Sequence, residues 1–268
     1  MHDILEAVIL GVIQGLTEFL PVSSSGHLEL GKYILGDNAL PEESLLMTVV
    51  LHFATALATM IVFRNEIIDI VKGLFNNSLK SPESRFVQYI MISMIPAVFA
   101  GLVFEQQIEA MFSQNIILVS IMLICTGFLL LFTYKAGNES GELTFGKAFL
   151  VGVSQAIAII PGISRSGATI STSLYLGINK EKAAKFSFLM VVPLIFGKMA
   201  KDIISGDLTF DAAQGLPLLI GGFAAFFTGM VACTLMINIV KNSKLSYFAY
   251  YCFVIGVIGL IFSSFHGN

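Results

Sequence analysis

The chain has no tryptophan, only three cysteines and very few charges. Charged residues make up 12% of its 268 positions, against about 25% in an ordinary soluble domain. That is too little charge to coat a water-facing surface, which excludes a soluble enzyme or a disordered regulator. The formal net charge is −3 and the pI about 5.8, so no basic surface exists to attract nucleic acid. Cys125, Cys233 and Cys252 lie inside apolar runs, at spacings that suit neither a metal site nor a disulfide framework; they read as small buried hydrophobes. With no tryptophan, an interfacial aromatic belt falls to tyrosine and phenylalanine, and Tyr134, Tyr247, Tyr250 and Tyr251 sit near segment ends. The opening Met1-His2-Asp3-Ile4-Leu5-Glu6 lacks the basic flank of a secretory signal peptide, so none is expected.

What the chain does have is apolar length. Hydrophobic residues reach 56% and the mean hydropathy is +0.84. Five runs are long enough to span a bilayer: Leu45–Phe63, Phe86–Phe104, Ile116–Tyr134, Leu216–Val240 and Tyr247–Phe265. A sixth, Phe186–Met199, is short and carries Pro193 and Lys198, and is expected to extend toward Ile204. Two further runs, Ile4–Val22 and Phe145–Ile163, stop at Pro21 and at Pro161-Gly162 and lead into Ser23-Ser24-Ser25-Gly26-His27 and Ser164-Arg165-Ser166-Gly167. A helix that ends in proline, glycine and serine cannot continue into lipid with its backbone groups unpaired. Both runs read as broken or re-entrant helices lining a polar cavity.

Lysine and arginine orient the spans. Arg64, Lys72, Lys80 and Arg85, then Lys135 and Lys147, then Lys241 and Lys244 mark 64–85, 135–147 and 241–246 as cytoplasmic. Both termini then lie outside, and the two broken segments enter from opposite faces. A shift of about 141 positions lays Ala7, Gly11, Val12, Gln14, Ser23, Ser25 and Gly26 on Ala148, Gly152, Val153, Gln155, Ser164, Ser166 and Gly167, the mark of an internal repeat. Each half, 1–140 and 141–268, then carries one broken segment and three spans, so the halves have inverted topology. The expected fold is an all-α integral membrane protein, with about six transmembrane helices and two re-entrant segments meeting near the midplane.

The two clusters differ where chemistry would need them to. Gln14 and Glu18 share a helix face at i, i+4, beside Gly11 and Gly15, whose spacing suits close helix packing. An ionisable group at membrane depth is a functional candidate by default, and the second half has Ile159 where the first has Glu18. The second half supplies Arg165 among Ser164, Ser166 and Thr169. A guanidinium fork beside hydroxyls and a helix N-terminus suits a phosphate. Ser23, Ser24 and Ser25 next to His27 provide a candidate nucleophile with a base, with Ser23 and Ser25 expected, like Ser164, Ser166 and Thr169, to bind the substrate phosphate; His27 can also attack phosphorus itself or protonate a leaving oxygen. Gln14 and Glu18 are hard oxygen ligands for Mg²⁺ or Ca²⁺. His52 and Lys198 read as pore-facing or interfacial, and Glu29, Asp37, Glu42 and Glu43 as a solvated external face. A substrate that is anionic at one end and very apolar at the other fits this set: a lipid phosphate or pyrophosphate.

The run from Gly11 to His27 resembles the first signature of bacterial undecaprenyl-diphosphatases of the bacitracin-resistance type, and the run from Pro161 to Thr169 resembles their second. The resemblance covers essentially the whole chain. It implies a membrane hydrolase that converts undecaprenyl pyrophosphate to undecaprenyl phosphate and inorganic phosphate, recycling the lipid carrier for cell-wall synthesis and conferring bacitracin resistance. It places the family's (Glu/Gln)-x-x-x-Glu element on Gln14 and Glu18, its histidine on His27, its candidate serine on Ser24 and its phosphate-binding arginine on Arg165, with Ser164, Ser166 and Thr169 beside it. It implies Mg²⁺ or Ca²⁺ as cofactor, a multi-pass protein of the bacterial plasma membrane and a site opening outward. The nucleophile stays open among Ser24, His27 and water. The partners expected are a long-chain polyprenyl pyrophosphate and membrane lipids, with no nucleic acid and with room for a homodimer. The rival reading is a lipid-phosphate transporter using the same anion site, since inverted repeats with broken helices are transporter architecture.

Overall fold

The structure is a computed structural model that describes residues 2–35, 41–75, 81–112, 115–135, 141–206, 215–242 and 245–266. Asp37, Lys80 and Lys244 lie outside the described residues, as do the side chains of Glu42, Glu43, Tyr134 and Lys135. In chain order the helices are α1 His2–Phe19, α2 Ser24–Leu35, α3 Pro41–Val62, α4 Arg64–Phe75, α5 Pro82–Val103, α6 Glu105–Met111, α7 Ile116–Leu131, α8 Phe145–Ile157, α9 Arg165–Tyr175, α10 Lys180–Ser205, α11 Gly215–Asn242 and α12 Ser246–His266. Among the described residues there is no strand, only an isolated bridge between Gly141 and Ile178. The protein is all-α.

Five of these helices are long and apolar enough to cross a membrane: α3, α5, α10, α11 and α12. α7, inside the expected span Ile116–Tyr134, has 16 residues and is short of a span by itself; counted with α6, from which it is sharply bent, it would bring the number to six. The short sixth run of the sequence is the 26-residue α10, which continues through Pro193. Ser, Asn and Thr side chains start the helices, as their short acceptors allow: Ser81 caps α5, Asn115 caps α7, Thr144 caps α8 and Asn179 caps α10.

Both broken runs appear as helix, turn and second helix. α1 ends at Phe19, and the chain reverses through residues 20–23 before α2 begins. Ser23 holds a φ of +70°, a left-handed conformation that a short polar side chain tolerates better than a bulky one. α8 ends at Ile157, a turn earlier than Pro161 implies, and α9 begins at Arg165. Gly162 turns the chain at φ +95°, and a Cβ there would lie 2.4 Å from the carbonyl oxygen of Val119. Only glycine meets both demands.

The broken helices are held by close backbone contact. α1 packs along α11, α8 along α5, and α7 along α12. A Cβ on Gly11 would fall 2.3 Å from the Gly221 carbonyl oxygen, and one on Gly152 would fall 2.3 Å from that of Ser93. Small residues therefore let helices without a hydrophobic driving force between them approach closely. Outside these contacts, large apolar side chains face outward along α5, α11 and α12, among them Phe99, Phe223 and Val254. That arrangement suits lipid as solvent. Cys233 and Cys252 are buried as expected, whereas Cys125 is exposed; it sits on the outward stripe of α7, one residue before the buried Thr126.

Ion pairs sort the ends of the bundle. Lys185–Glu66 at 3.6 Å, Lys182–Glu142 at 2.5 Å and Lys241–Glu181 at 3.2 Å link α4, the stretch before α8, α10 and α11. The three segments marked as cytoplasmic by charge thus share one end. Lys201 pairs with Glu105 at the other.

The close contacts predict a stability cost. Gly152→Ala and Gly11→Ala each force a methyl against backbone, which costs about 1–3 kcal/mol when a packed site is overfilled. The melting temperature in detergent should fall in both, whereas Gly146→Ala, where a Cβ meets nothing within 4 Å, should leave it unchanged.

Candidate active site

The two turns pack on each other. A Cβ on Gly26 would lie 3.2 Å from the Gly162 Cα, one on Gly167 would lie 3.4 Å from the Pro21 Cβ, and Ser166 Oγ donates to the Leu20 carbonyl at 3.3 Å. The N-termini of α2 and α9 therefore arrive at one place, with the last turn of α1 between them. Helix N-termini carry unpaired N–H groups and partial positive charge, which favours an anion there.

Glu18 is the centre. It is 7% exposed, and three side chains donate to it. Arg165 Nη2 donates to Oε1 at 2.5 Å, while Gln14 Nε2 and Ser24 Oγ donate to Oε2 at 3.0 and 2.8 Å. His52 Nε2 stands 3.8 Å from the same Oε2. The other arm of the guanidinium, Nη1, donates to the Ser187 carbonyl on α10 at 3.1 Å. Arg165 therefore spans Glu18 and α10 with its fork, a geometry a lysine lacks.

The hydroxyls of the second cluster hold this arginine in place. Ser164, Ser166 and Thr169 are 1%, 1% and 0% exposed. Ser164 Oγ accepts from Gly167 N at 3.0 Å, capping α9. Thr126 braces the turn, donating to the Gly162 carbonyl and accepting from Ser164 N. Thr169 Oγ1 donates to the Arg165 carbonyl at 2.8 Å and lies 2.6 Å from Ser187 Oγ. In the first cluster, Ser23 Oγ accepts from Gly26 N at 3.2 Å and lies 3.3 Å from Ser25 Oγ. Ser24 alone of the three points at Glu18.

His27 is placed differently from Ser24. Its Nδ1 bonds the Ser23 carbonyl at 2.8 Å and its Nε2 lies 2.9 Å from the Tyr251 hydroxyl, with the two rings stacked at 5.6 Å. A carbonyl can only accept, so Nδ1 carries a proton and, in the neutral ring, Nε2 accepts from Tyr251. Both nitrogens are engaged, and neither touches Ser24. The structure brings Gln14, Glu18, Ser24 and Arg165 together and sets His27 on the adjoining face of α2.

Sequence reasoning gave no site role to His52, read as pore-facing or interfacial, or to Tyr251, read as an interfacial aromatic, and it did not single out Ser187. His52 carried a usable signal, as the ionisable group inside Leu45–Phe63; the argument made for Glu18 applies to it equally. Ser187 meets Arg165 through its backbone carbonyl, which no sequence pattern marks. Glu29 is a correction. It is 7% exposed, not on a solvated face, because α2 folds back into the bundle after the turn and pairs Glu29 with Lys32 at 3.6 Å.

A divalent ion would find hard oxygen donors here. Gln14 Oε1 is buried without a hydrogen-bond partner, on a side chain one helical turn before Glu18 whose amide nitrogen bonds the carboxylate. One carboxylate and one amide oxygen are few ligands, but magnesium retains waters and takes oxygens from substrate phosphates. The set fits an ion shared with a phosphate. Among the described residues, no group of three or more His, Cys, Asp or Glu is placed to hold a metal ion by itself.

Breaking a buried pair costs about 3–5 kcal/mol because the survivor is left charged and unpaired. Glu18→Ala and Arg165→Ala should each lower the melting temperature in detergent strongly. The double variant should recover part of that loss, giving a large coupling in the double-mutant cycle; strict additivity would contradict the pairing.

The chain matches the family model described as Bacitracin resistance protein BacA over residues 7–258. It is 59% identical to the undecaprenyl-diphosphatase of Christiangramia forsetii over 261 residues, 97% of this chain and 98% of that protein. It is 46% identical to that of Bacteroides fragilis, covering 96% and 97%, and 37% identical to that of Methanobrevibacter smithii, covering 98% and 99%. With a match along nearly its whole length and relatives this similar, the chain belongs to the Bacitracin resistance protein BacA family.

Proposed function

We propose that this chain is an undecaprenyl-diphosphatase, hydrolysing undecaprenyl diphosphate to undecaprenyl phosphate and inorganic phosphate. The relatives carry that name. The observation that carries the reading in this chain is Glu18, held between the guanidinium of Arg165 and the hydroxyl of Ser24 in an apolar bundle. The transporter reading finds no support in the relatives. Recycling of the cell-wall lipid carrier and bacitracin resistance follow from membership of the family.

The resting arrangement suggests how the residues work. Glu18 occupies the face of Arg165 that a phosphate would take. An arriving diphosphate competes for the fork, and the carboxylate released from Arg165 accepts the Ser24 proton across the existing hydrogen bond. Ser24 Oγ attacks the terminal phosphorus while the bond to the bridging oxygen breaks, and undecaprenyl phosphate leaves. Arg165 and the N–H groups opening α9 stabilise the charge spread over the transferring group. Water then cleaves the phosphoserine, releasing inorganic phosphate and returning the proton to Ser24. Ser164, Ser166 and Thr169 keep Arg165 aimed, and Ser23 and Ser25 shape the turn that presents Ser24. Mg²⁺ or Ca²⁺, when bound at Gln14 and Glu18, would neutralise phosphate charge.

The same reading includes a plasma-membrane setting, with the site and both termini on the outer side and the lysine-rich end of the bundle in the cytoplasm. Charge bias along the loops and the shared end of the ion pairs support that orientation. The exchange of contacts between halves, α1 on α11 and α8 on α5, supports an inverted repeat of 1–140 and 141–268.

Purified protein in detergent should release phosphate from a long-chain isoprenyl diphosphate. Glu18→Gln and Arg165→Lys should each lose most of that rate, on the order of a hundredfold as for removal of one preorganised donor. Near-normal turnover in Arg165→Lys would remove the clamp role. Rapid quench and mass spectrometry should find phosphate on Ser24; phosphate on His27 would reassign the nucleophile, and an unmodified enzyme with active turnover would favour direct attack by water.

A further inference from the structure

Lys32 is 8% exposed and Glu29 is 7% exposed on α2. Ionised groups this deep in an apolar bundle cost free energy and need a reason. α2 already has an apolar contact in Leu28, buried against Leu10, Leu51 and Ala54, so packing does not require the pair. The Lys32 ammonium donates to Thr48 Oγ1 at 3.1 Å and lies 3.6 Å from Glu29, an ion pair too long for a hydrogen bond. An ammonium has three donors, and the Thr48 bond uses one.

Thr48 links Lys32 to the site. On α3 it lies one turn before His52, and its carbonyl accepts from His52 Nδ1 at 2.8 Å. His52 Nε2 in turn faces Glu18 Oε2 at 3.8 Å. Lys32, Thr48, His52, Glu18 and Arg165 therefore form one continuous polar lane through α2, α3, α1 and α9, with a cation at each end. A diphosphate carries two phosphoryl groups, and Arg165 accounts for one.

We infer that Lys32 is a second oxyanion site of this enzyme. It takes a phosphoryl oxyanion, either the second phosphate of the lipid diphosphate or the inorganic phosphate on its way out. Glu29 balances the ammonium while the site is empty. The inference rests on the diphosphatase reading for the identity of its ligand. The plainer role for Lys32 is a tether between α2 and α3. The two roles differ in what happens when each partner is neutralised separately, because a tether is lost either way while an anion site responds with opposite sign.

The experiment compares Lys32→Met, Lys32→Arg and Glu29→Gln with the parent protein in detergent. It reads KM for a long-chain isoprenyl diphosphate, the inhibition constant of inorganic phosphate and the melting temperature. Loss of one charge-assisted contact should weaken the affected constant by about tenfold in Lys32→Met. Lys32→Arg should restore it, and Glu29→Gln should shift it the other way. A shift in KM assigns the site to the lipid headgroup; a shift in phosphate inhibition alone assigns it to the released product. Lys32→Met and Glu29→Gln moving together with the melting temperature, or neither constant moving, would overturn the inference. Calorimetric binding of inorganic phosphate to the same proteins reads Lys32 without turnover. Phosphate binding that depends on Lys32 in a protein unable to hydrolyse the lipid would sink the diphosphatase reading and keep the site; binding indifferent to Lys32 would sink the site.

Discussion

The ion pair of Glu18 with Arg165 joins residues 147 positions apart in a bundle with little water-facing surface. Neither charge is tolerable alone at that depth. Each requires the other, and the pair requires both turns to meet. Much of the remaining polar structure serves that meeting: Ser164 caps α9, Thr126 braces the turn before it, Ser187 anchors the far arm of the guanidinium, and Gln14 and Ser24 fill the other carboxylate oxygen.

The apolar part of the fold explains how such a pair can be held rigidly. Helices in lipid gain nothing from hiding leucine from leucine, so their association depends on fit. Gly11 against Gly221 and Gly152 against Ser93 bring α1 and α8 into backbone contact with α11 and α5. Those contacts fix the broken helices along their length and so fix where their tips end. A displacement of a broken helix by even a methyl group would be felt at Glu18 or Arg165, where hydrogen-bond distances leave little slack.

The carboxylate of Glu18 occupies the guanidinium of Arg165 in the resting protein. In the resting protein Glu18 satisfies Arg165 and accepts from Ser24, so no charge is exposed to lipid. In the proposed mechanism, substrate displaces that existing partner, and the displaced group receives the serine proton. His27, although beside Ser24 in sequence, is turned by the helical geometry of α2 toward Tyr251. His52, far away in sequence, is turned toward Glu18.

The sequence by itself determined the solvent, the number of apolar helices and the two places where helices had to break. Those follow from composition and from proline, glycine and serine, whose effects are local. It also marked Glu18, Ser24 and Arg165, because ionisable and small polar residues are conspicuous in an apolar chain. Only the tertiary structure decided which of them touch. Side-chain partnership depends on the turn at Ser23 and Gly162 and on the packing of helices distant in sequence. These set His27 against Tyr251, brought His52 to Glu18, and buried Glu29 and Lys32. Ser187 could be found only there, because its contribution is a backbone carbonyl that every residue has and only position makes useful.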